Sequence, residues 1–408
     1  MANTQRKDAN DNSNHLDMAD VFPGITDNTY LSTCTRGLLP KAARDALDIH
    51  LDALTTGRTD KAALFEMMKE VRASFAGLIN ADPMEIAYTK NVSEGLNIIA
   101  TAMKWQAGDN IILTPGVEHP NNIYPWLNVG QKEGVEVRTV DDDNGRIDVD
   151  AMIAAADDRT KLMTVPTVTF SPGLRTDVKK LGSFCRSQNI FLLVDAAQSA
   201  GVLHTDVEDM MIDGLATSTQ KGLCSMYGMG FLYCRREWAD QMVPAYLARF
   251  GVDLGHDVPE AAFGSMQYKL MDGALRFDLG NYNFPVITVA QQSLKILSDI
   301  GTEQIDAYVV RLATRLAEGL EKLGLNVING HDPSERSNIV CVGHPSEGHD
   351  TTDDAESAAL HQHLLDADVL HTIRRGMLRF AFHIYNSDAD VDRVLNLVSD
   401  WKASNSGQ

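Results

Sequence analysis

An α/β fold is predicted for this chain, and three features of the sequence predict it. Short continuous apolar runs recur, among them Ile190 to Val194 and Leu162 to Thr169. Each is too short for a lone helix and rich in branched residues, as strands buried on both faces of a parallel sheet are. Helical patterns stand between the runs, the alternation expected of crossover connections. Finally, polar and ionisable residues close several runs, at the strand ends where open α/β sheets hold their ligands.

The 408 residues exceed the usual size of one hydrophobic core, so two domains are expected. A net charge of −20 argues against nucleic acid or an anionic membrane as partner, because their phosphates repel such a surface. No apolar run approaches the ~20 residues that cross a bilayer. The first 28 residues begin MANTQRKDANDNSN, polar and acidic without the apolar stretch of a signal peptide. They read as a flexible arm, with the cytoplasm as the default compartment. Five cysteines, Cys34, Cys185, Cys224, Cys234 and Cys341, show no CxxC spacing and read as reduced, buried thiols.

Tyr30 to Pro40 reads as a short strand, a glycine turn and a proline at a helix start, with the helix over Ala42 to Leu54. Leu64 to Leu78 has helical periodicity, and Ile86 to Thr89 is a short strand. The stretch Lys90-Asn91-Val92-Ser93-Glu94-Gly95-Leu96-Asn97 runs from that strand into a helix. Ser93 is placed to cap the helix, and the free N–H groups there make an anion site for which phosphate is the natural occupant. Ile111 to Thr114 is a strand, followed by Glu118-His119-Pro120-Asn121-Asn122-Ile123-Tyr124-Pro125-Trp126. His119 therefore stands just past a strand's C-terminal end, on the ligand rim. Val135 to Val140 is a further strand, with Asn144-Gly145 as a tight turn. The acidic run Asp141 to Asp143 lacks calcium-loop spacing and reads as a solvated face. Leu162 to Thr169 ends in Phe170-Ser171-Pro172-Gly173 before a charged helix.

The strand Ile190 to Val194 ends on Asp195, a buried carboxylate that needs a cationic or hydrogen-bonding partner. Gln198 lies one turn on, and Gly214 to Lys221 closes a second apolar segment on Ser218, Gln220 and Lys221. Together Asp195, Gln198, Ser218 and Lys221 form the set that a pyridoxal-phosphate site requires. A buried lysine has a lowered pKa and forms an imine with the aldehyde. Aspartate keeps the ring nitrogen protonated, glutamine bonds the ring oxygen and serine the phosphate. A surface lysine following a core strand is the plain alternative.

Downstream, Gly228-Met229-Gly230 reads as a turn before the strand Phe231 to Cys234. Long amphipathic helices, Thr288 to Ile300 and Thr302 to Leu323, open a second region that contains the strand Asn338 to Val342. Gly348 to Asp354 reads as a polar loop without chemistry. His361 and His363 fall on different faces of a helix and make no metal site, so no metal is expected. Arg379 opens an alternating strand, where its guanidinium fork suits a carboxylate.

These motifs, in this order, resemble the class V aminotransferase family, which includes cysteine desulfurases, selenocysteine lyases and isopenicillin N epimerase. The resemblance rests on Ser93-Glu94-Gly95-x-Asn97, the Glu118 to Trp126 stretch, Asp195-x-x-Gln198, Ser218-x-x-Lys221, Arg276-Phe277-Asp278-x-Gly280-Asn281 and Arg379 to Asn386. It implies a fold-type I enzyme with a mixed, mostly parallel seven-stranded sheet in a large domain, residues 29–285, and a smaller α/β domain, residues 286–408. His119 would stack on the cofactor, and it or Lys221 would move the substrate's α-proton, with Ser93, Glu94, Gln198, Ser218 and Gln220 also around the cofactor. Arg379 would bind the substrate carboxylate, with Thr35 and Arg36 on the substrate side. Asn281 would reach the phosphate of a second subunit, which implies a homodimer. Two departures stand out. Phe170 replaces the asparagine usual in desulfurases, and Gly376 runs into Arg379 without the desulfurase cysteine loop. A C–S lyase that does not pass sulfur to its own cysteine is the leading expectation, with aminotransferase and epimerase as alternatives.

Overall fold

The computed structural model describes residues 18–405 apart from 256, 257, 259, 260, 329 and 331. Seven strands form the main sheet: β1 (Ile86–Thr89), β2 (Asn110–Leu113), β3 (Glu136–Thr139), β4 (Thr160–Pro166), β5 (Phe191–Asp195), β6 (Gly214–Ser218) and β7 (Gly230–Cys234). Their spatial order is β1-β7-β6-β5-β4-β2-β3. Every pairing is parallel except the two made by β7. The expected mixed, mostly parallel seven-stranded sheet is the one observed.

Its central strands read as unbroken apolar runs because both faces are covered. Along β5, Leu192 and Val194 join the core that contains Val71, Phe75 and Leu181, whereas Phe191 and Leu193 join the one that contains Leu96, Ile99 and Trp126. The first set comes from helices α2 (Lys61–Leu78) and α5 (Val178–Gln188), the second from α3 (Val92–Ala102) and α4 (Tyr124–Glu133). Each fully buried side chain of this size contributes roughly 1.5–3 kcal/mol. Phe75 stacks on Phe231 of β7 at 4.1 Å between ring centroids, locking α2 to the sheet.

A second sheet of four antiparallel strands follows, in the order β8 (Val327–Ile328), β9 (Ile339–Val342), β11 (Met377–Ala381) and β10 (Thr372–Arg374). Helices α6 (Phe284–Ile300) and α7 (Thr302–Lys322) connect the two sheets. Thr29 and Tyr30 pair in parallel with Val369 and Leu370, and Ser32 bridges to Ala381. The N-terminal segment is thus tied to the second sheet, while α1 (Lys41–Thr55) packs on α6. Residues 1–17 of the expected arm lie outside the described residues. Residues 18–28 are docked, for Phe22 is buried edge-on against Tyr385 at 5.1 Å.

Candidate active site

The C-terminal ends of β4, β5 and β6 are in register, with Pro166 opposite Asp195 and Asp195 opposite Ala216. Those three ends and the N-terminus of α3 meet at one rim. Gly95 allows the meeting, since a Cβ there would lie 2.9 Å from the Ala216 side chain. The rim opens into a cavity of about 560 Å³, lined by Thr35, Ser93, His119, Asp195, Gln198, Ser218, Gln220 and Lys221. Eight of the residues singled out in the sequence therefore share one space.

The electrostatics of the cavity favour a reactive amine. Burial lowers the pKa of Lys221, and the positive charges of Arg379 and Arg374 act in the same direction against Asp195. Asp195 is pushed up, chiefly by burial, although the Ala197 amide donates to its Oδ1 at 2.8 Å. Such a carboxylate gains most from a cationic partner brought in by a ligand. Two further polar atoms on the wall, Gln198 Oε1 and Thr35 Oγ1, are buried without a hydrogen-bond partner among the described residues. Buried polar atoms are ordinarily satisfied, so this wall is shaped for a polar ligand. Pyridoxal phosphate fits: its ring nitrogen suits Asp195, its ring oxygen a donor from Gln198, and its phosphate the start of α3.

His119 is a neutral ring. Burial, helped by Lys221, His349 and the two arginines, lowers its pKa to about 4. Its Nδ1 accepts the Asn121 amide hydrogen at 3.1 Å, so the proton of the neutral ring resides on Nε2. Behind it, Glu118 is buried, and its pKa is raised first by burial and then by the charge of Asp195. Glu118 Oε1 accepts from Asn122 Nδ2 at 2.9 Å, and Asn122 Oδ1 accepts from Trp126 Nε1 and Thr164 Oγ1. The motif around His119 is therefore a buried scaffold as much as a ligand wall.

One sequence expectation, the cap of α3, is corrected, and the other candidates take the places that follow. Asn91, not Ser93, caps α3, its side chain accepting the Glu94 amide hydrogen at 3.0 Å. Asn91 is one residue before the first helical residue, whereas Ser93 is already inside the first turn. Ser218 Oγ accepts the Val92 amide hydrogen at 2.9 Å, which ties β6 to α3 and leaves the Ser218 hydroxyl hydrogen for a ligand. Glu94 turns away from the cavity and accepts from the Lys90 amide. Asn281 and Glu94 line a separate cavity of about 220 Å³ with Tyr246 and Leu279. Arg36 is exposed, its guanidinium 6.0 Å from the Tyr227 ring.

Arg379 stands behind Phe170 rather than on the cavity wall. Its Nη1 donates to Phe170 O at 2.9 Å, and its guanidinium carbon is 5.4 Å from the Phe170 ring. The loop expected to carry no chemistry reaches this place as well. His349 stacks on Phe170 at 6.2 Å, and Asp350 pairs with Arg374. A polar loop reads as solvent-facing in sequence, and only the three-dimensional packing reveals its neighbours. Glu118 and Phe170 were visible in the motifs, but nothing in their spacing marks them as buried site walls.

No group of three or more potential metal ligands occurs among the described residues. The aminotransferase class-V family model matches residues 55–394. A protein of Methanothermobacter thermautotrophicus named "Probable cysteine desulfurase" is 30% identical over 398 residues, covering 91% of this chain and 94% of the relative. Among solved structures, a cysteine desulfurase of Thermococcus onnurineus superposes with a TM-score of 0.80 at 24% identity, covering 95% of this chain and 98% of that one. A cystine C–S lyase in complex with cysteine persulfide superposes with a TM-score of 0.79 at 21% identity, covering 93% and 99%. Both structures show the fold, type I of the pyridoxal-phosphate enzymes, and with the family match over most of its length the chain belongs to the class V aminotransferase family of pyridoxal-phosphate-dependent enzymes.

Proposed function

We propose that this enzyme breaks the C–S bond of a sulfur-containing α-amino acid by β-elimination, without passing the sulfur to a cysteine of its own. The observation that carries this reading is the hairpin of β10 and β11. Arg374 pairs directly with Met377, so only Arg375 and Gly376 form the turn, both at positive φ. No length of chain remains there for a sulfur-carrying loop. All five cysteines are buried, which disfavours a sulfur relay to another protein. The likeness to desulfurases and to a C–S lyase supports chemistry at a β-carbon sulfur.

In this reading Lys221 holds the cofactor aldehyde, Asp195 the ring nitrogen and Gln198 the ring oxygen. Ser93, Ser218 and Gln220 would hold the phosphate, with Glu94 bracing the Lys90 amide. Thr35 lies on the substrate side with Arg36 at the rim, and Arg379 receives the α-carboxylate once its bond to Phe170 O yields. The cofactor, when bound, would supply an electron sink for the substrate Cα. Lys221, its pKa lowered, is the base that takes the Cα proton. His119 covers the ring as a neutral imidazole, because its Nδ1 is already occupied by Asn121. We further propose a cytoplasmic homodimer, in which Asn281 contacts the phosphate of the partner subunit. No helix among the described residues is long and apolar enough to cross a membrane.

The test is a visible-absorption titration of the holoenzyme with cystine, cysteine and amino acids lacking sulfur, followed by product analysis. Repeated release of pyruvate and ammonia from the sulfur-containing substrates, with the original spectrum restored, is the expected outcome. A single equivalent of keto acid with the cofactor left in its amine form means transamination. Inverted substrate without net release means epimerisation. Either of these overturns the lyase reading.

A further inference from the structure

The chain just before Lys221 and the residue just after it are held from outside the main sheet. On one side the Gly37 amide donates to Gln220 O at 2.9 Å. This contact admits only glycine, because a Cβ at Gly37 would lie 2.2 Å from Lys221 O. On the other side stands His383, from the turn after β11. Its ring is fully buried, and its Nε2 is 2.8 Å from Gly222 O. Its Nδ1 accepts the Ile384 amide hydrogen at 2.7 Å, so the proton of the neutral ring is on Nε2 and is donated to Gly222 O.

The His383 ring is itself fixed. Its own amide donates to Asn386 Oδ1 at 2.8 Å, and its face lies on Tyr385 at 5.1 Å with 14° between planes. Asn386 Nδ2 donates to Tyr30 O at 2.9 Å, and the Tyr385 hydroxyl is 2.5 Å from Thr33 Oγ1. The ring thus belongs to a frame joining the second sheet to the N-terminal segment. It does not line the cavity.

We propose that His383 is a positioning residue for Lys221: its Nε2–H fixes the Gly222 carbonyl, one residue beyond the lysine, and through Gly222 the direction in which the lysine side chain enters the cavity. The inference rests on Lys221 being the imine-forming lysine of the proposed function. Without the donor, Gly222 O keeps only the weaker Cys224 Sγ contact at 3.7 Å, and the peptide turns toward another partner. The charged and titratable groups that face Lys221, namely Asp195, Arg379, Arg374 and Cys34, belong to other elements and do not follow. A displacement of about 1 Å at a reacting group costs on the order of 10²-fold in rate.

The experiment compares His383→Phe, which keeps a flat ring on Tyr385 but no donor, with His383→Gln, which keeps an amide donor, and His383→Asn, whose donor falls short. Three properties are read: kcat and KM of the holoenzyme, the pH midpoint of the visible absorption of the lysine-linked cofactor, and the rate of reductive methylation of Lys221 in cofactor-free protein. We expect H383F to lose about 10–100-fold in kcat, with little change in KM, a displaced midpoint and an altered methylation rate. H383Q should retain wild-type values. Should H383F fail to fold, H383Q is expected to hold the wild-type midpoint while H383N loses it. Wild-type behaviour of H383F, or equal impairment of H383Q and H383N, overturns the inference. Lys221→Ala separates the two levels of the argument. If it keeps the spectrum of a lysine-linked cofactor, the assignment of Lys221 fails, whatever His383 does.

Discussion

At the scale of single residues, Arg379 shows how a charge is kept ready. Its guanidinium is buried, yet it spends one donor on Phe170 O and a weaker one on Thr372 Oγ1 at 3.4 Å, and its charge lowers the pKa values of Lys221 and His119. A substrate carboxylate would gain hydrogen bonds to a charged donor, worth about 1.5–3 kcal/mol. Arg379→Ala should therefore raise KM for α-amino acids roughly 10–100-fold, measured by steady-state kinetics, with the spectrum of the cofactor retained. Unchanged KM would remove the carboxylate role. His371 makes a second prediction, about pH. Burial pushes it down to about 4, and its Nε2 is 2.9 Å from His361 Nδ1. The unfolded chain takes up a proton near pH 6.5 and the fold resists it until about pH 4, so stability is lost as pH falls through that window. The full loss is roughly 3 kcal/mol. His371→Gln should flatten the dependence measured by urea unfolding at pH 7 and pH 5; an unaltered slope means that His371 is not held neutral by the fold.

At the scale of elements, the segment Gly273–Phe277 and its continuation depend on one buried ion pair. Arg72 Nη2 of α2 lies 2.6 Å from Asp278 Oδ2, with both side chains buried, and Asp278 also accepts from the Tyr88 amide and the Tyr282 hydroxyl. Asp278→Ala leaves the Arg72 charge buried and should cost about 3–5 kcal/mol, read as a fall in Tm. Arg72→Met with Asp278→Leu should recover much of it, because no charge then remains; failure to recover would show that the acceptor for Tyr88 matters more than the charge. The sequence made most of these elements legible, because β5 and α2 announce themselves by local pattern. It placed the end of β4 at Thr169, whereas the strand stops at Pro166. Thr169 instead bonds Leu174 to close the loop that presents Phe170. The cap of α3 was misplaced by two residues, since Asn91 and Ser93 are equally good capping types. What escaped the sequence is long-range: the pairing of Thr29 with Val369, the bond from His383 to Gly222, and His349 reaching Phe170. None of these contacts leaves a local periodicity, so each had to be found in the fold.

At the scale of the whole molecule, the second cavity bears on assembly. Tyr246 and Leu279, which line it with Asn281, are 74% and 43% exposed, and Val243, shortly before Tyr246 in sequence, is 60% exposed. Large apolar side chains gathered on a surface mark an interaction site more often than a free face. A net charge of −20 adds a second constraint, since two such chains repel unless an apolar interface outweighs the charge. The proposed homodimer answers both, because it covers this surface and brings Asn281 toward the partner subunit. Asn281 holds a positive φ of 47° directly after Gly280 and is exposed. Leu279→Arg places a charge into the covered apolar surface and leaves the buried core untouched. It should convert the dimer to a monomer by light scattering, weaken cofactor retention on gel filtration, and leave Tm of the monomer nearly unchanged. A wild-type protein that is already monomeric and binds pyridoxal phosphate at full strength would show that the phosphate site is complete within one chain.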